Sequence, residues 1–250
     1  MPEITIWPVL MGVWEGHDKS FLTHLTDVGV KIDTGVLFYV IKGAEKNILI
    51  DTGIPDLESI ARRHPHRFTR YQDFEAGLKK VGLRPDEIDL VICTHLHWDH
   101  CSNNDRCSNA RILVQRDEMR YAIAPLQIHA VSYESQAAGM SPPWLRALER
   151  TEAVDGDMEV CSGVQVVKIP SHAPGLQGVN VKTSKGNYFV ASDFCPLFEN
   201  WEGNSSLRHI ASPIHLSLVD YYDSFAKVEK LADFVLPGHD LKVLEKECYP

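Results

Sequence analysis

The sequence predicts an α/β protein built as a four-layer αββα sandwich, two β-sheets face to face with helices on their outer sides. Three observations carry this prediction. Short apolar runs rich in β-branched residues recur along the chain, segments with helical spacing fall between them, and metal-ligand residue types cluster just past the ends of the runs.

In chain order, residues 3–14 alternate loosely between apolar and polar and read as a first strand turning at Gly12 or Gly16. Residues 16–35 are too irregular for one element. With Trp14, Phe21 and Leu22 nearby, they are expected as a loop that overhangs the site or covers a sheet edge. Runs 36–41 and 47–50 form a hairpin across a polar turn, and Phe74, Leu78 and Val81 mark a helix over 72–81 that Gly82 closes. A buried strand follows at 88–93, then a strand at 111–115 and a helix over 116–124 stopped by Pro125. Residues 125–150 have no clear period and are expected as an insertion walling a pocket. Strands recur at 164–169, 179–183, 188–191 and 232–236, with a helix over 221–231 from Phe225, Val228 and Leu231.

A chain of 250 residues with 44% hydrophobic and 24% charged residues is expected to form one soluble globular domain over 1–250. Its net charge of −9 lacks the basic footprint that nucleic acid rewards, and the short basic stretch 61–67 reads as a solvated turn. The amino terminus has no signal-peptide pattern, and no apolar run approaches the ~20 residues that span a bilayer. A cytoplasmic protein without a membrane or nucleic-acid partner is expected. Six cysteines without a Cys-x-x-Cys pair suggest reduced, inert thiols, with Cys101 and Cys195 the nearest to the site.

The most informative stretch is Thr94-His95-Leu96-His97-Trp98-Asp99-His100, a His-x-His-x-Asp-His pattern at the end of the 88–93 strand. Imidazole suits zinc and related first-row metals, and a neighbouring carboxylate adds negative charge, so one loop offers ligands for two ions. Further ligand types follow later runs in the same way: His172 after 164–169, Asp193 after 188–191, and His239 after 232–236.

This order of residues resembles the metallo-β-lactamase superfamily, and Asp51-Thr52-Gly53 resembles an early motif of the same family. The resemblance implies that His95, His97 and His172 hold one divalent ion, that Asp99, His100 and His239 hold the other, and that Asp193 bridges them. Asp51 would support the ligands by hydrogen bonding. Zinc is the first expectation for the ions, with manganese, iron and cobalt accepted by the same donors. Two such ions sharing a water lower its pKa and yield a hydroxide that attacks a carbonyl. In the lactone-hydrolysing relatives Asp99 would be the catalytic residue that passes a proton to the leaving group.

The ligand set differs from that of flavodiiron relatives, which have Glu where His97 stands, and the short stretch after His239 leaves out the helical extension of glyoxalase-type thioesterases. The layout is most similar to the N-acyl-homoserine lactonase branch. A small-molecule lactone or ester is the implied substrate, and a homodimer is admitted. The alternatives are a thioesterase or other small-ester hydrolase and, at the far end, a non-catalytic metal-binding scaffold. One position departs from the quorum-quenching lactonases: Pro196 stands where they carry a tyrosine thought to contact the lactone carbonyl. N-acyl-homoserine lactones are therefore expected to be accepted poorly or with altered acyl preference unless Tyr188, Tyr221 or Tyr222 supplies that donor, and Phe194, Phe198, Trp201, Trp144 and Met140 are expected to supply apolar contact. His17, His24, His64, His66, His129, His209 and His215 read as surface or packing residues, with His129 and His209 nearest the pocket.

Overall fold

A computed structural model describes residues 3–250. The first sheet has seven strands: β1 (Thr5–Asp18), β2 (Lys31–Lys42), β3 (Ile48–Ile50), β4 (Phe68–Thr69), β5 (Leu90–Ile92), β6 (Arg111–Gln115) and β7 (Thr151–Val154), in spatial order β4-β1-β2-β3-β5-β6-β7. The second has five: β8 (Met158–Cys161), β9 (Val164–Lys168), β10 (Gln177–Thr183), β11 (Gly186–Ser192) and β12 (Phe234–Pro237), in order β12-β11-β10-β9-β8. The longer helices are α1 (Leu57–Arg63), α2 (Phe74–Lys80), α4 (Arg116–Ile123) and α6 (Leu218–Val228). Short helices α3 (Trp98–Cys101) and α5 (Phe198–Glu202) border the site.

Alternation of side chains explains why both sheets are buried on both faces. In β2, Leu37, Tyr39 and Ile41 point into the core between the sheets, where they meet Val164, Val166, Val179, Val181 and Val190. Their neighbours Val36, Phe38 and Val40 point the other way and pack with Ile60 of α1, Phe74 and Leu78 of α2 and Ala122 of α4. On the far side of the second sheet, Phe189 and Ala191 meet Tyr221, Phe225 and Val228 of α6. The result is the αββα order. Across the inter-sheet core, the Tyr39 hydroxyl donates to the Pro237 carbonyl at 2.5 Å, joining the sheets just before His239.

The irregular reading of 16–35 is corrected. β1 and β2 pair antiparallel from Thr5 with Lys42 to Asp18 with Lys31, and the connection between them is residues 19–30 alone. Register shifts between Leu10 and Gly12 and between Trp14 and His17 break the period-two pattern, which is why the second half of β1 did not read as strand. Strands β7 and β8 and helix α1 were not expected either. β7 and β8 are four residues each and bury only Val154 between them, and the seven residues of α1 bury only Ile60. Stretch 61–67 is more than a solvated turn: Arg63 and His64 both contact the fully buried carboxylate of Glu134, at 2.6 and 2.8 Å. Among the described residues, no helix is long and apolar enough to cross a membrane.

Candidate metal centre

The site lies where β3, β5, β9, β11 and β12 end, and one carboxylate organises its base. Asp51, with φ of 63° just past β3, accepts hydrogen bonds from Thr94 N at 2.7 Å and His100 Nδ1 at 2.8 Å. It also accepts from the Thr94 hydroxyl at 2.8 Å and from the Ser192 hydroxyl at 3.2 Å. Three loops are thereby tied to one buried side chain. Because Asp51 holds Nδ1 of His100, the other ring nitrogen, Nε2, is turned into the site. The same logic aims His239, whose Nδ1 donates to the Gly35 carbonyl at 2.8 Å, and His95, whose Nδ1 lies 3.1 Å from the Thr94 hydroxyl.

The structure brings all seven ligand-type residues together, buried, in two groups. One holds His95, His97, His172 and Asp193, and the other Asp99, His100 and His239, each group's ligand atoms within 4.8 Å of one another. Asp193 faces both. Its Oδ2 is 3.3 Å from His172 Nε2 and 3.9 Å from His95 Nε2, while its Oδ1 is 2.9 Å from His239 Nε2 and 3.3 Å from His100 Nε2. Asp99 Oδ2 lies 3.7 Å from His100 Nε2 and 3.9 Å from His239 Nε2. This position of Asp193 depends on its surroundings: Ser192 adopts φ of 49°, and a Cβ on Gly238 would come within 3.0 Å of Asp193 Oδ1 and 2.8 Å of Ser192 backbone.

The electrostatics divide by group: against burial, Asp193 and Asp99 hold the His100 and His239 rings above the ordinary imidazole value, so these two must give up a proton to bind an ion. Burial pulls the His95 and His97 rings well below the ordinary imidazole value, and neighbouring imidazoles add to the effect, so both present neutral lone pairs. Burial would raise the Asp193 carboxyl, but His239, His100 and His172 outweigh it and hold the group ionised. His95 Nε2 is buried without a hydrogen-bond partner among the described residues, and His100 Nε2 and Asp193 Oδ1, though close to each other, do not meet in hydrogen-bond geometry. Imidazole and carboxylate atoms left unsatisfied in this way fit divalent first-row ions.

A second carboxylate supports the site and had no signal in the sequence beyond its place in an amphipathic helix. Glu118 of α4 is fully buried and accepts from Leu96 N at 3.0 Å, between His95 and His97, and from Gly175 N at 3.3 Å, past His172. The Tyr133 hydroxyl donates to it at 2.8 Å. A Cβ on Gly175 would lie 2.1 Å from Glu118 N, so glycine alone permits this approach. Burial lifts the Glu118 carboxyl to about 7, against the pull of those hydrogen bonds.

Above the ligands is a cavity of about 170 Å³. Trp14, Phe21 and Leu22 line it as expected, with Val131 and Ser132 from the 125–150 segment. The expected aromatic contacts are corrected. Phe194 and Trp201 pack under α6, Trp144 is in the core beneath the first sheet, and Phe198 packs toward the inter-sheet core. Met140 does not line the cavity. The tyrosines are also elsewhere: Tyr221 bonds to the Phe194 carbonyl at 2.6 Å, Tyr222 to the His209 carbonyl, and Tyr188 stacks on Phe234. His129 and His209 are committed to Tyr121 and to Glu229, whereas His17, His64 and His66 line the cavity. Cys101 and Cys195 are buried free thiols packed into the cores on the outer sides of the two sheets, not in the cavity lining.

Two paired sheets with a two-lobed His/Asp cluster at their strand ends define a class of metal-dependent proteins, and the chain belongs to the metallo-β-lactamase superfamily, whose model matches residues 32–239. That family is a dimetal-dependent one. The chain is 28% identical over 242 residues to the N-acyl homoserine lactonase AiiA of Bacillus thuringiensis subsp. kurstaki, covering 92% of this chain and 91% of that protein. It is 26% identical over 235 residues to the N-acyl homoserine lactonase AiiB of Agrobacterium fabrum, covering 84% and 80%. A crystal structure of a B. thuringiensis AiiA variant with N-decanoyl-L-homoserine bound at the active site matches with a TM-score of 0.76 at 24% identity, over 98% of this chain and 96% of that one.

Proposed function

We propose that this chain is a two-metal lactonase acting on N-acyl homoserine lactones, as a single domain in the cytoplasm. His95, His97 and His172 hold one ion, Asp99, His100 and His239 the other, and Asp193 serves both, with zinc the first expectation for each. The observation that carries this reading is Asp193, whose two oxygens face two separate groups of imidazoles. When bound, the ions supply Lewis acidity and a water acidic enough to attack an ester near neutral pH. The chain's own residues do the rest. Asp99 lines the cavity floor, where its carboxylate takes a proton and returns it to the alcohol that leaves as the ring opens. Trp14 and Trp98 cover the floor and keep bulk water from the reacting ester. The lactonases AiiA and AiiB support this substrate class, as they match over most of the chain. The six unpaired cysteines support a reducing compartment.

A substrate panel tests the proposal: acyl-homoserine lactones, alkyl lactones, a glutathione thioester and a phosphodiester, assayed with the metal-loaded protein. Turnover of lactones above the other two classes is expected. Fast turnover of the thioester or phosphodiester with none on any lactone would overturn the lactonase reading and leave a hydrolase of another ester class.

A further inference from the structure

The cavity wall carries imidazoles that have no place among the ligands. Trp14 lies flat against His17, ring centroids 4.0 Å apart and planes 10° apart, and leans on His66 at 3.8 Å, while His64 lies flat on Trp98 at 4.1 Å. In a regular strand, residues three apart point to opposite faces. Trp14 and His17 can stack only because β1 shifts register between them, which turns both rings to the cavity side.

The polar groups on this wall are not equivalent. His64 is committed to Glu134, and the Ser212 hydroxyl faces His172 Nδ1 at 3.5 Å. His17 is oriented on one side only: its Nδ1 lies 3.4 Å from the buried Thr34 hydroxyl, and its Nε2 has no partner among the described residues. The ring lines the same cavity as His239, Asp99 and Asp193. Burial, then His239 and His66, hold its pKa down to about 4, so the imidazole is neutral where an esterase works. In the tautomer in which the Thr34 hydroxyl donates to Nδ1, Nε2 carries the hydrogen and faces the cavity. His66 lines the same cavity but is held by ring stacking alone, with no hydrogen-bond partner among the described residues to orient it, which leaves His17 as the wall imidazole with a directed ring.

We propose that His17 is a substrate-contact residue that donates from Nε2 to the amide carbonyl next to the lactone ring, and that it sets a preference for N-acylated lactones over lactones without an amide. The inference rests on the lactonase reading of the same site. It gives the cavity one directed polar contact, while the ligand cluster and Asp99 act on the ester itself.

The test compares wild type, His17→Leu and His17→Gln on N-hexanoyl homoserine lactone and on an alkyl γ-lactone of matched length. His17→Leu should raise KM for the amide-bearing substrate roughly three- to tenfold, the size of one uncharged hydrogen bond. On the alkyl lactone KM should move less than about twofold, and glutamine should restore most of the preference, because its amide N–H can replace the lost donor. Metal content and Tm, measured in parallel, show that the variants are loaded and folded. Equal changes on both lactones, or none on either, would overturn the proposal. A second readout works without turnover: the His17 ring ¹⁵N resonances of the loaded wild type should shift when N-hexanoyl homoserine is added. If that shift appears while no lactone is turned over, the lactonase reading fails and the contact stands. If lactones are turned over with neither the shift nor the selective KM change, the contact fails alone. If turnover and shift are both absent, both fail.

Discussion

The floor and the wall of this site are built in opposite ways. The floor residues follow the ends of strands, and buried partners aim much of the set: His100 by Asp51, His239 by the Gly35 carbonyl, and the 95–97 turn by Glu118. The wall comes from the bulged end of β1, the chain after α1, the 125–150 segment and residues near Ser212, held mainly by ring stacking. His95 is 0% exposed, whereas Phe21 and Val131 are 61% and 49% exposed although both line the cavity. A floor fixed by internal hydrogen bonds keeps its geometry whatever stands above it, so chemistry belongs to the floor and selectivity to the wall.

The largest effect should come from the residue the two lobes share. Asp193→Ala removes both oxygens that face the imidazole groups, and loss of several kcal/mol of stabilisation corresponds to a drop in kcat/KM on the order of a thousandfold. Elemental analysis should find fewer than two ions per chain. A variant that kept both ions and its turnover would break the division between floor and wall. Asp51→Ala should come next. It contacts no substrate, yet it releases Thr94, His100 and Ser192 together, so metal affinity should fall roughly 10- to 100-fold, as read by competition with a chelator. An unchanged affinity would show that the strand ends alone aim the ligands.

The same contrast decides what could be read from the sequence. The floor was legible because four of its residues fall between 95 and 100 and the other three each follow an apolar run, so local spacing carried the signal. Glu118 was not legible: in the sequence it is one of two acids in the first turn of a helix, and only the packing of Gly175 against it shows that it is buried. The wall histidines were read as packing residues for a related reason. His17 reaches the cavity through a register shift, and His64 and His66 through the chain following a short helix with one buried residue, features that leave no periodic trace. The strands with both faces apolar were found, while the short β7 and β8, in which only Val154 is buried, were not.

Glu118 supplies the next smaller effect, on stability. Its carboxyl is lifted from an ordinary 4.5 to about 7 in the folded chain. Between these values the folded form holds a proton that the unfolded form has released. This contribution therefore favours folding most at low pH, diminishes as pH rises through that window, and levels off above about 7. Its full size is at most about 3 kcal/mol. Glu118→Gln cannot titrate, so Tm measured from pH 5 to 8 should fall less steeply than in the wild type, with some loss of stability at every pH because an amide nitrogen cannot accept from both Leu96 and Gly175. Parallel slopes would mean that Glu118 stays ionised in the folded protein.

The smallest effect should lie at the outer wall. Phe21 sits beyond His17, its ring centroid 6.1 Å from the imidazole, and most of its surface faces solvent until a ligand covers it. Phe21→Ala should leave Tm unchanged, since an exposed ring contributes little to folding, and should leave metal content unchanged as well. What the ring can do is lose water against an acyl chain, and each covered methylene is worth up to about 0.8 kcal/mol. If the acyl chain runs outward past His17, a decanoyl chain reaches this ring and a butanoyl chain ends short of it. The substitution should therefore raise KM roughly two- to tenfold for the decanoyl lactone and less than about twofold for the butanoyl lactone, with kcat held on both. If kcat fell equally for both chains, the outer wall would be shaping the chemistry of the floor, and the two regions would have to be treated as one.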